Sequence, residues 1–455
     1  MLEKQAKKAE LGHTVYTSVW HEARRKRRFA MMMTKNNATS GVGEGIRLEA
    51  LLDMKHALVK LTKQIDWSAY EIAFGKHYAE EGRPGISIRV MVGLHYLKYV
   101  FDESDESVVA RWIENPYWQY VCGCETFQHE VPCHPSSLSR WRKRVGVEGM
   151  EVLLKAVLAT AMRVGALKAE AIQIVNADTT VQQKVIAFPT DAQLYHKARR
   201  TLVRQAKADG IPVRQSYTHL SKSRLYWRNR YAASQKYELA TKETLKLQQW
   251  LGRVMRDIER SVGELTPAMQ AHLATAHRIY QQKKKDKNKV YSMHAPEVEC
   301  IAKGKATQKY EFGCKVAVTS TAHSNWIVGI QARPGNPYDG ATLKPALEQV
   351  EYLTSIKPRL AIVDLGYRGS EHQPTGVEVL IVQSTRHVSN AVKKLFKRRS
   401  AIEPVIGHAK SDHGLQRNHL AGSVGDRCNA LLVGCGFNLA KLLHFFAGPS
   451  AAFAS

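Results

Sequence analysis

The chain has 455 residues and is strongly basic, with 67 Lys and Arg against 41 Asp and Glu and a formal net charge of +26. Hydrophobic residues make up 44% and charged residues 24%, which favours a soluble globular protein and argues against an integral membrane protein. A field of this sign attracts polyanions, so nucleic acid is the favoured partner and an anionic membrane surface is the alternative.

Seven cysteines at irregular spacing favour reduced thiols in a cytosolic protein over a disulfide framework. The first residues, MLEKQAKKAELGH, are polar and charged and do not resemble a secretory signal, and translation could instead begin at residues 31–33. The most apolar stretch, 430–447, is interrupted by polar residues, which predicts a core helix and not a membrane span. We therefore expect a cytoplasmic, nucleoid-associated protein with no membrane partner.

The N-terminal third of the chain contains two regions that differ in composition and hydrophobic pattern. Residues 1–43 are charged and then rich in Asn, Ser and Gly, which predicts a disordered basic tail. From 44 to 168 apolar residues recur at helical spacing, and we interpret this region as an all-α N-terminal DNA-binding domain. Near its end, SLSRWRKRV resembles the second helix of a helix-turn-helix, although a basic helix packed on its own domain is the alternative. The candidate DNA contacts on this helix are Arg140, Arg142, Lys143 and Arg144.

The pattern changes near Ala171, where IQIVNADTT alternates like a strand that ends in Asp178. YEFGCKVAVTS and NWIVGIQA then predict a hairpin around residues 322–325. A helix over ATLKPALEQVEYLTS follows, and after it come the strands LAIVDLG and VEVLIV and a helical tail. This order predicts an α/β fold in which residues 169–190 and 308–447 form a mixed sheet flanked by helices.

A segment of different character, 191–307, lies between the first strand and the hairpin. It is helical, poor in β-branched runs and basic: residues 191–310 contain 25 Lys and Arg against 10 Asp and Glu. More than half of the charge excess of the chain therefore falls in about a quarter of its length. We interpret this segment as a basic helical insertion subdomain that contacts DNA phosphates, with a solvated helical face as the alternative.

Two acids stand where predicted strands end. Asp178 closes the first strand, and Asp364 follows the apolar run 361–363. A carboxylate at the end of a central strand has no packing purpose and is costly to bury without a partner. Because α/β sheets place ligands at strand ends, the two acids could converge on a hard cation such as Mg²⁺. Each acid could instead cap a helix or shape a turn.

A third acid lies in LFKRRSAIEPVIGHAKSDHG, at Glu403. On a continuous helix, Phe396, Arg399, Glu403 and Lys410 would fall within about 60° of one face. One acid between two basic residues on a single face suits an active site that acts on a phosphate backbone. The alternative is an ordinary row of ion pairs within one helix. Pro404 lacks an N–H and would kink or start a helix there, in which case Arg399 need not share the face of Glu403.

These motifs together resemble the DDE transposases of bacterial insertion sequences, in the group with a Tyr-x2-Arg-x3-Glu-x6-Lys motif. The chain reads Phe396-x2-Arg399-x3-Glu403-x6-Lys410, with Phe in place of the Tyr of the family. This departure removes a hydroxyl that could bond a phosphate and leaves the acids unchanged.

Further matches make the resemblance specific. Asp178 in NADTT and Asp364 in VDLGYRG match the first and second acids of the family, and YEFGCKVAV, GNPYDGATL and RPGISIRVMVGLHYLKY match in order. The likeness covers roughly residues 48–446. The interval of 186 residues from Asp178 to Asp364 is long for the family and implies an insertion, in agreement with the basic segment 191–307.

The resemblance implies a ribonuclease-H-like core in which Asp178, Asp364 and Glu403 are the catalytic acids and hold two Mg²⁺ ions, with Mn²⁺ as a substitute. One ion would activate a water, and later a 3′-hydroxyl, for attack on phosphorus, while the other would stabilise the leaving oxygen. Asp178 is the expected bridge between the ions, and Arg399 and Lys410 would stabilise phosphate charge.

The implied activity is metal-dependent cleavage of double-stranded DNA at the terminal inverted repeats of the transposon and strand transfer into target DNA. By analogy, we expect a homodimer on DNA. A catalytically inactive DNA-binding regulator derived from a transposase is the alternative, and a different nuclease on the same fold is a third interpretation.

Overall fold

The structure is a computed structural model, and it describes residues 46–79, 81–82, 84–261, 263–302, 309–369, 374–382 and 389–448. The predicted tail, 1–43, lies outside the described residues. The chain divides into two compact units. One is formed by the residues up to Leu167 together with those from Cys435 onward, and the other by Lys168–Gly434. On the sequence alone the whole of 308–447 is assigned to the catalytic domain, and this assignment stays a prediction.

In the first unit the regular elements of the described residues up to Leu167 are helices. They are α1 Leu48–Leu51, α2 Ala57–Gln64, α3 Trp67–Phe74, α4 Ile88–Val100, α5 Asp105–Glu114, α6 Pro116–Val121 and α7 Ser136–Arg163. Side-chain caps begin several of them. Ser104 and Ser107 form a reciprocal capping box at α5, and Asn115 caps α6, where Pro116 occupies the first position.

The predicted basic helix forms the start of α7, which kinks at Gly146, where φ is 66°. Trp141 packs inward, edge to face with Phe74 at 5.1 Å between ring centroids. Three of the four predicted DNA contacts lie at exposed positions: Arg140, Lys143 and Arg144.

Arg142 corrects the prediction, because its side chain is buried and paired. It lies on the same inward stripe of α7 as Leu138, Trp141 and Val145, three and four residues apart. Its Nη1 donates to Oδ1 of Asp105 at 3.0 Å, and burial of a guanidinium requires such a partner. Although burial opposes ionisation, the ion pairs with Arg142 and a nearby lysine lower the pKa of Asp105 well below its usual value.

The second unit is built on a six-stranded mixed sheet. Its strands are β1 Ile174–Gln183, β2 Glu299–Ala302, β3 Tyr310–Thr321, β4 Ile327–Arg333, β5 Leu360–Val363 and β6 Glu378–Ile381. β3 pairs antiparallel with β1 on one side and with β2 and β4 on the other, while β5 runs parallel to both β1 and β6. The chain is therefore mixed α/β, and the predicted hairpin, β3 with β4, is confirmed.

β1 is longer than predicted, which corrects the position of Asp178 within it. The strand continues to Gln183 because residues 175–183 pair with 313–321 of β3 throughout. Its parallel pairing with β5 covers only residues 174–176. Asp178 therefore lies in the middle of β1, yet beyond the point at which the parallel part of the sheet ends.

The helices from Lys168 onward include several that contact the sheet and four that fill the segment between β1 and β2, and the last, α16, continues beyond this unit. In chain order they are α8 Ala169–Ile172, α9 Asp191–Ala208, α10 Thr218–Ala233, α11 Tyr237–Glu259, α12 Pro267–Gln281, α13 Asp339–Thr354, α14 Asn390–Arg399, α15 Ile402–Ser411 and α16 Gly422–Ala447. Buried residues of α9, α11 and α12 form an apolar cluster that includes Leu202, Leu251 and Ile279. The basic segment is thus helical and has its own packed interior.

One helix of the described residues, α16, is long and apolar enough to cross a membrane by length and composition alone. Within the protein, 61% of its most apolar 18-residue window is buried. The core helix of a soluble protein meets the same criteria, so the helix is weak evidence for a membrane span.

Candidate active site

Asp178, in β1, and Asp364, directly after the neighbouring strand β5, lie at one level of the sheet. The parallel register pairs Asn176 with Ile362, and its continuation by two residues places Asp178 opposite Asp364. β5 ends at Val363, so no ladder hydrogen bonds join the two strands at this level. Two carboxylates from distant parts of the chain therefore meet at the carboxyl end of the parallel strands, where α/β sheets bind ligands.

Each aspartate accepts a hydrogen bond from a backbone N–H at one carboxylate oxygen and one from the guanidinium of Arg399 at the other. Oδ1 of Asp178 accepts from the N–H of Thr179 at 2.7 Å, and Oδ1 of Asp364 accepts from that of Gly366 at 2.9 Å. Both Oδ2 atoms accept from Nη2 of Arg399, at 2.9 Å and 3.2 Å. Because they share one donor nitrogen, the two Oδ2 atoms are at most about 6 Å apart.

Glu403 also binds the guanidinium of Arg399, and it does so from a separate helix. α14 ends at Arg399 and α15 begins at Ile402, so the single continuous helix considered from the sequence is wrong. Pro404 explains the break, because it has no N–H to donate to the carbonyl of Ser400 and is tolerated in the first turn of a new helix. Across the break, Nη1 of Arg399 still donates to Oε1 of Glu403 at 3.0 Å.

One guanidinium thus binds three carboxylates, and the site opens outward. The side-chain exposure rises from 17% at Asp178 to 40% at Asp364 and 63% at Glu403, while Arg399 is 17% exposed. Carboxylate oxygens are the donors that hard divalent cations prefer, so the residues present suit Mg²⁺ or Mn²⁺. Among the described residues, no three His, Cys, Asp or Glu side chains already form a metal-binding group. In this arrangement the guanidinium of Arg399 occupies the position that the three carboxylates share.

A fourth acid, Asp339 in the GNPYDG loop, borders this site and is not among the candidate site residues of the sequence analysis. Asp339, at the start of α13, accepts from Oγ1 of Thr179 at 2.9 Å and from Nζ of Lys315 at 2.8 Å. A Cβ atom on Gly366 would lie 3.0 Å from Asp364 and 3.2 Å from Asp339, so both carboxylates adjoin this glycine. The signal available in the sequence was Lys315 within the apolar strand β3, because a buried lysine needs an acidic partner.

Tyr367 lies buried in the turn that follows Asp364. Burial raises the pKa of its phenol well above the usual value, and the nearby carboxylates of Asp178, Asp339 and Asp364 add to the effect. The phenol is therefore protonated at neutral pH and is able to donate a hydrogen bond.

The remaining motif residues lie along the two helices. The ring of Phe396 is buried at 9% exposure, so Phe at this position contributes to packing. Lys410 is half-buried and stands seven residues after Glu403, about 10 Å further along α15 and on nearly the same face. Of the sequence-predicted residues, the structure brings together Asp178, Asp364, Glu403 and Arg399, and it places Lys410 two turns away.

Comparison with known proteins gives two family matches and one curated relative. Residues 46–144 match a model described as "Transposase domain (DUF772)", and residues 273–439 match "Transposase DDE domain". The chain is also similar to an uncharacterized protein, ORF8 in the nfe locus of Rhizobium meliloti. The two are 51% identical over 191 residues, which is 42% of this chain and 92% of that protein. No solved structure matches the chain.

In chain order the gathered acids read Asp, Asp, Glu, the order that defines the DDE class of DNA-processing proteins. The chain belongs to the DDE transposases of bacterial insertion sequences. Members of this family act on DNA and generally use divalent metal ions.

Proposed function

We propose that this transposase cleaves double-stranded DNA at the terminal inverted repeats of its element and joins the freed 3′ ends to target DNA. The observation that carries the proposal is the convergence of Asp178, Asp364 and Glu403 on the guanidinium of Arg399. Three carboxylates that face one positive group form a site of the charge and ligand type required for two-metal phosphoryl transfer. The strand order β4-β3-β1-β5-β6 supports a ribonuclease-H-like catalytic core.

In the proposed mechanism Asp178, Asp364 and Glu403 would hold two Mg²⁺ ions, or Mn²⁺ as a substitute, and Asp178, the innermost of the three, would be the shared ligand. When bound, such ions supply Lewis acidity to the attacking and leaving oxygens on either side of the phosphorus. The backbone N–H groups of Thr179 and Gly366 fix the two aspartates, so each presents its Oδ2 toward the shared position.

Arg399 has two roles in this proposal. As the counter-ion of three carboxylates it offsets the repulsion that would otherwise separate them. Once it leaves them, its planar fork of donors suits bidentate binding of a backbone phosphate. Lys410, which lies two turns further along α15, would contact the same DNA strand.

Two further regions are proposed to contact DNA outside the acidic site. The helical N-terminal domain would use the exposed start of α7, and the insertion would use the positive charge concentrated on α9–α12. We propose a homodimer on DNA, one subunit for each transposon end, acting in the cytoplasm at the nucleoid.

The proposed function is tested by a nicking assay with Mg²⁺ on duplexes that carry the inverted repeats flanking the gene. We expect the chain to nick these ends and then join them to a second duplex, and the Asp178→Asn variant to bind without cutting. Binding without cutting by both proteins would indicate the inactive regulator. Nicking without joined products would indicate another nuclease on this fold, and equal cutting by the variant would contradict the role of Asp178.

Replacing Arg140, Lys143 and Arg144 together by Ala is expected to weaken DNA binding without loss of stability, because these side chains are exposed. The slope of log affinity against log salt concentration should become shallower by about 0.9 for each phosphate that the variant no longer neutralises. Arg142→Ala is the matched control. It should lower thermal stability because it removes the buried guanidinium that pairs with Asp105. An unchanged salt slope in the triple variant would contradict the proposed role of the three side chains.

A further inference from the structure

A small set of hydrogen bonds ties the end of α14 to the sheet. Nδ2 of Asn176, in β1, donates to the carbonyl of Arg398 at 2.9 Å. The guanidinium of Arg398 in turn donates to the carbonyl of Ala322, from Nε at 2.9 Å and from Nη2 at 2.7 Å. Nη2 also donates to the carbonyl of His323 at 3.1 Å, in the turn between β3 and β4. The last turn of α14 is therefore held both to β1 and to the turn that follows β3.

These hydrogen bonds lie just before the helix that carries Glu403, the third acid of the site. Asp178 and Asp364 are aligned by the pairing of strands, but Glu403 lies on a helix and has no place in the ladder. Leu395 packs α14 against the apolar cluster on the sheet, and such contacts are not directional. Hydrogen bonds are directional, and those of Arg398 act on the residue next to Arg399 and five before Glu403.

Burial of the Asn176 side chain costs folding free energy, so its presence here indicates a specific role. Its side chain is completely buried in a central strand, and its Oδ1 has no hydrogen-bond partner in the described part of the chain. An apolar residue at this position would avoid an unsatisfied buried atom. The amide instead places the anchor of α14 on the strand that carries Asp178, two residues before it.

We propose that Arg398 and Asn176 are positioning residues that hold the helix break, and with it the Glu403 carboxylate, at the level of the two aspartates. They touch no reacting atom and act through α14. This inference rests on the proposed function, because it assumes that Glu403 shares in metal binding.

The test compares Arg398→Ala with Lys397→Ala, which removes the same charge from the exposed preceding residue. Two readouts are needed: Mn²⁺ binding to the DNA-free chain by electron paramagnetic resonance, and the kcat and KM of Mg²⁺-dependent nicking. Arg398→Ala should weaken Mn²⁺ binding about 10-fold and lower kcat between about 10- and 100-fold, with KM for DNA unchanged. Arg398→Lys should recover part of both losses, since one donor still reaches the Ala322 carbonyl.

Asn176→Ala should change both readouts in the same direction, with circular dichroism confirming that it folds. The inference is overturned if Arg398→Ala matches Lys397→Ala in metal affinity and kcat. It is also overturned if the loss appears in KM alone, because Arg398 would then be a DNA contact. A wild-type chain that neither binds Mn²⁺ nor nicks DNA overturns the proposed function and this inference with it. If the wild-type chain binds Mn²⁺ and nicks DNA, the comparison of Arg398→Ala with Lys397→Ala tests this inference alone.

Discussion

Glu403→Gln is expected to slow Mg²⁺-dependent nicking at least about 1,000-fold, a rise of about 4 kcal/mol in the activation barrier. Gln has nearly the same shape but no charge, so the site would lose one of the three carboxylates that attract divalent cations. The side chain is 63% exposed, so the change removes no core packing, and DNA affinity should be retained. The measurement is the single-turnover nicking rate at saturating DNA and Mg²⁺.

Asp412→Asn is the matched control for this change. Asp412 caps the other end of the same helix, is exposed, and pairs with His408 at 2.7 Å. Its replacement should leave the nicking rate within a few-fold of the wild type. A Glu403→Gln variant that also stays within a few-fold would show that the third carboxylate is not needed for catalysis. Equal losses in both variants would indicate a general effect of charge on α15.

Lys184→Met is expected to destabilise the second unit by about 3 kcal/mol, because it breaks a buried ion pair and leaves its partner in place. Nζ of Lys184 lies 2.7 Å from Oδ1 of Asp426 and 3.1 Å from Oε1 of Glu297, and the side chains of Lys184 and Asp426 are both 6% exposed. Burial raises the pKa of Asp426 even with this partner present. Without the lysine the carboxyl would have to take up a proton or remain charged in the interior.

Thermal unfolding followed by calorimetry would measure this loss, with Lys344→Met as the control. Lys344 lies at an exposed position on α13, so its replacement should leave the transition unchanged. Because Lys184 follows β1 and Asp426 lies in the first turns of α16, the loss should appear in the transition of the second unit. An unshifted transition in Lys184→Met would mean that the pair contributes nothing net.

The acids could be found from the sequence because each stands in a local pattern. Asp178 and Asp364 follow apolar strand residues, and Glu403 lies between cations at fixed spacing. Their meeting could not be predicted in the same way. The pairing of β1 with β3 joins residues that are 130 to 146 positions apart in the chain, and it decides that β1 continues past Asp178. Strand alternation over 172–180 contains no information about that partner.

Arg142 and Asp339 show a second limit of local patterns. Four cations in five residues suggest a basic surface, but a helix places adjacent residues about 100° apart, and one of the four falls on the stripe of buried residues. Asp339 stands in a loop sequence that is typical of a turn. Only the tertiary fold brings it to Thr179 and Lys315, which lie on the two central antiparallel strands.

The pairing of β1 with β3 has a consequence for how the gene can vary. Side chains alternate between the two faces of a sheet, so a slip of one residue between these strands would turn Asp178 to the opposite face from its present one. Nine consecutive residue pairs oppose such a slip. The helical insertion leaves after β1 and returns through β2 to the same sheet, outside those pairs. Residues could therefore be added to or deleted from its surface loops while Asp178 and Asp364 stay aligned.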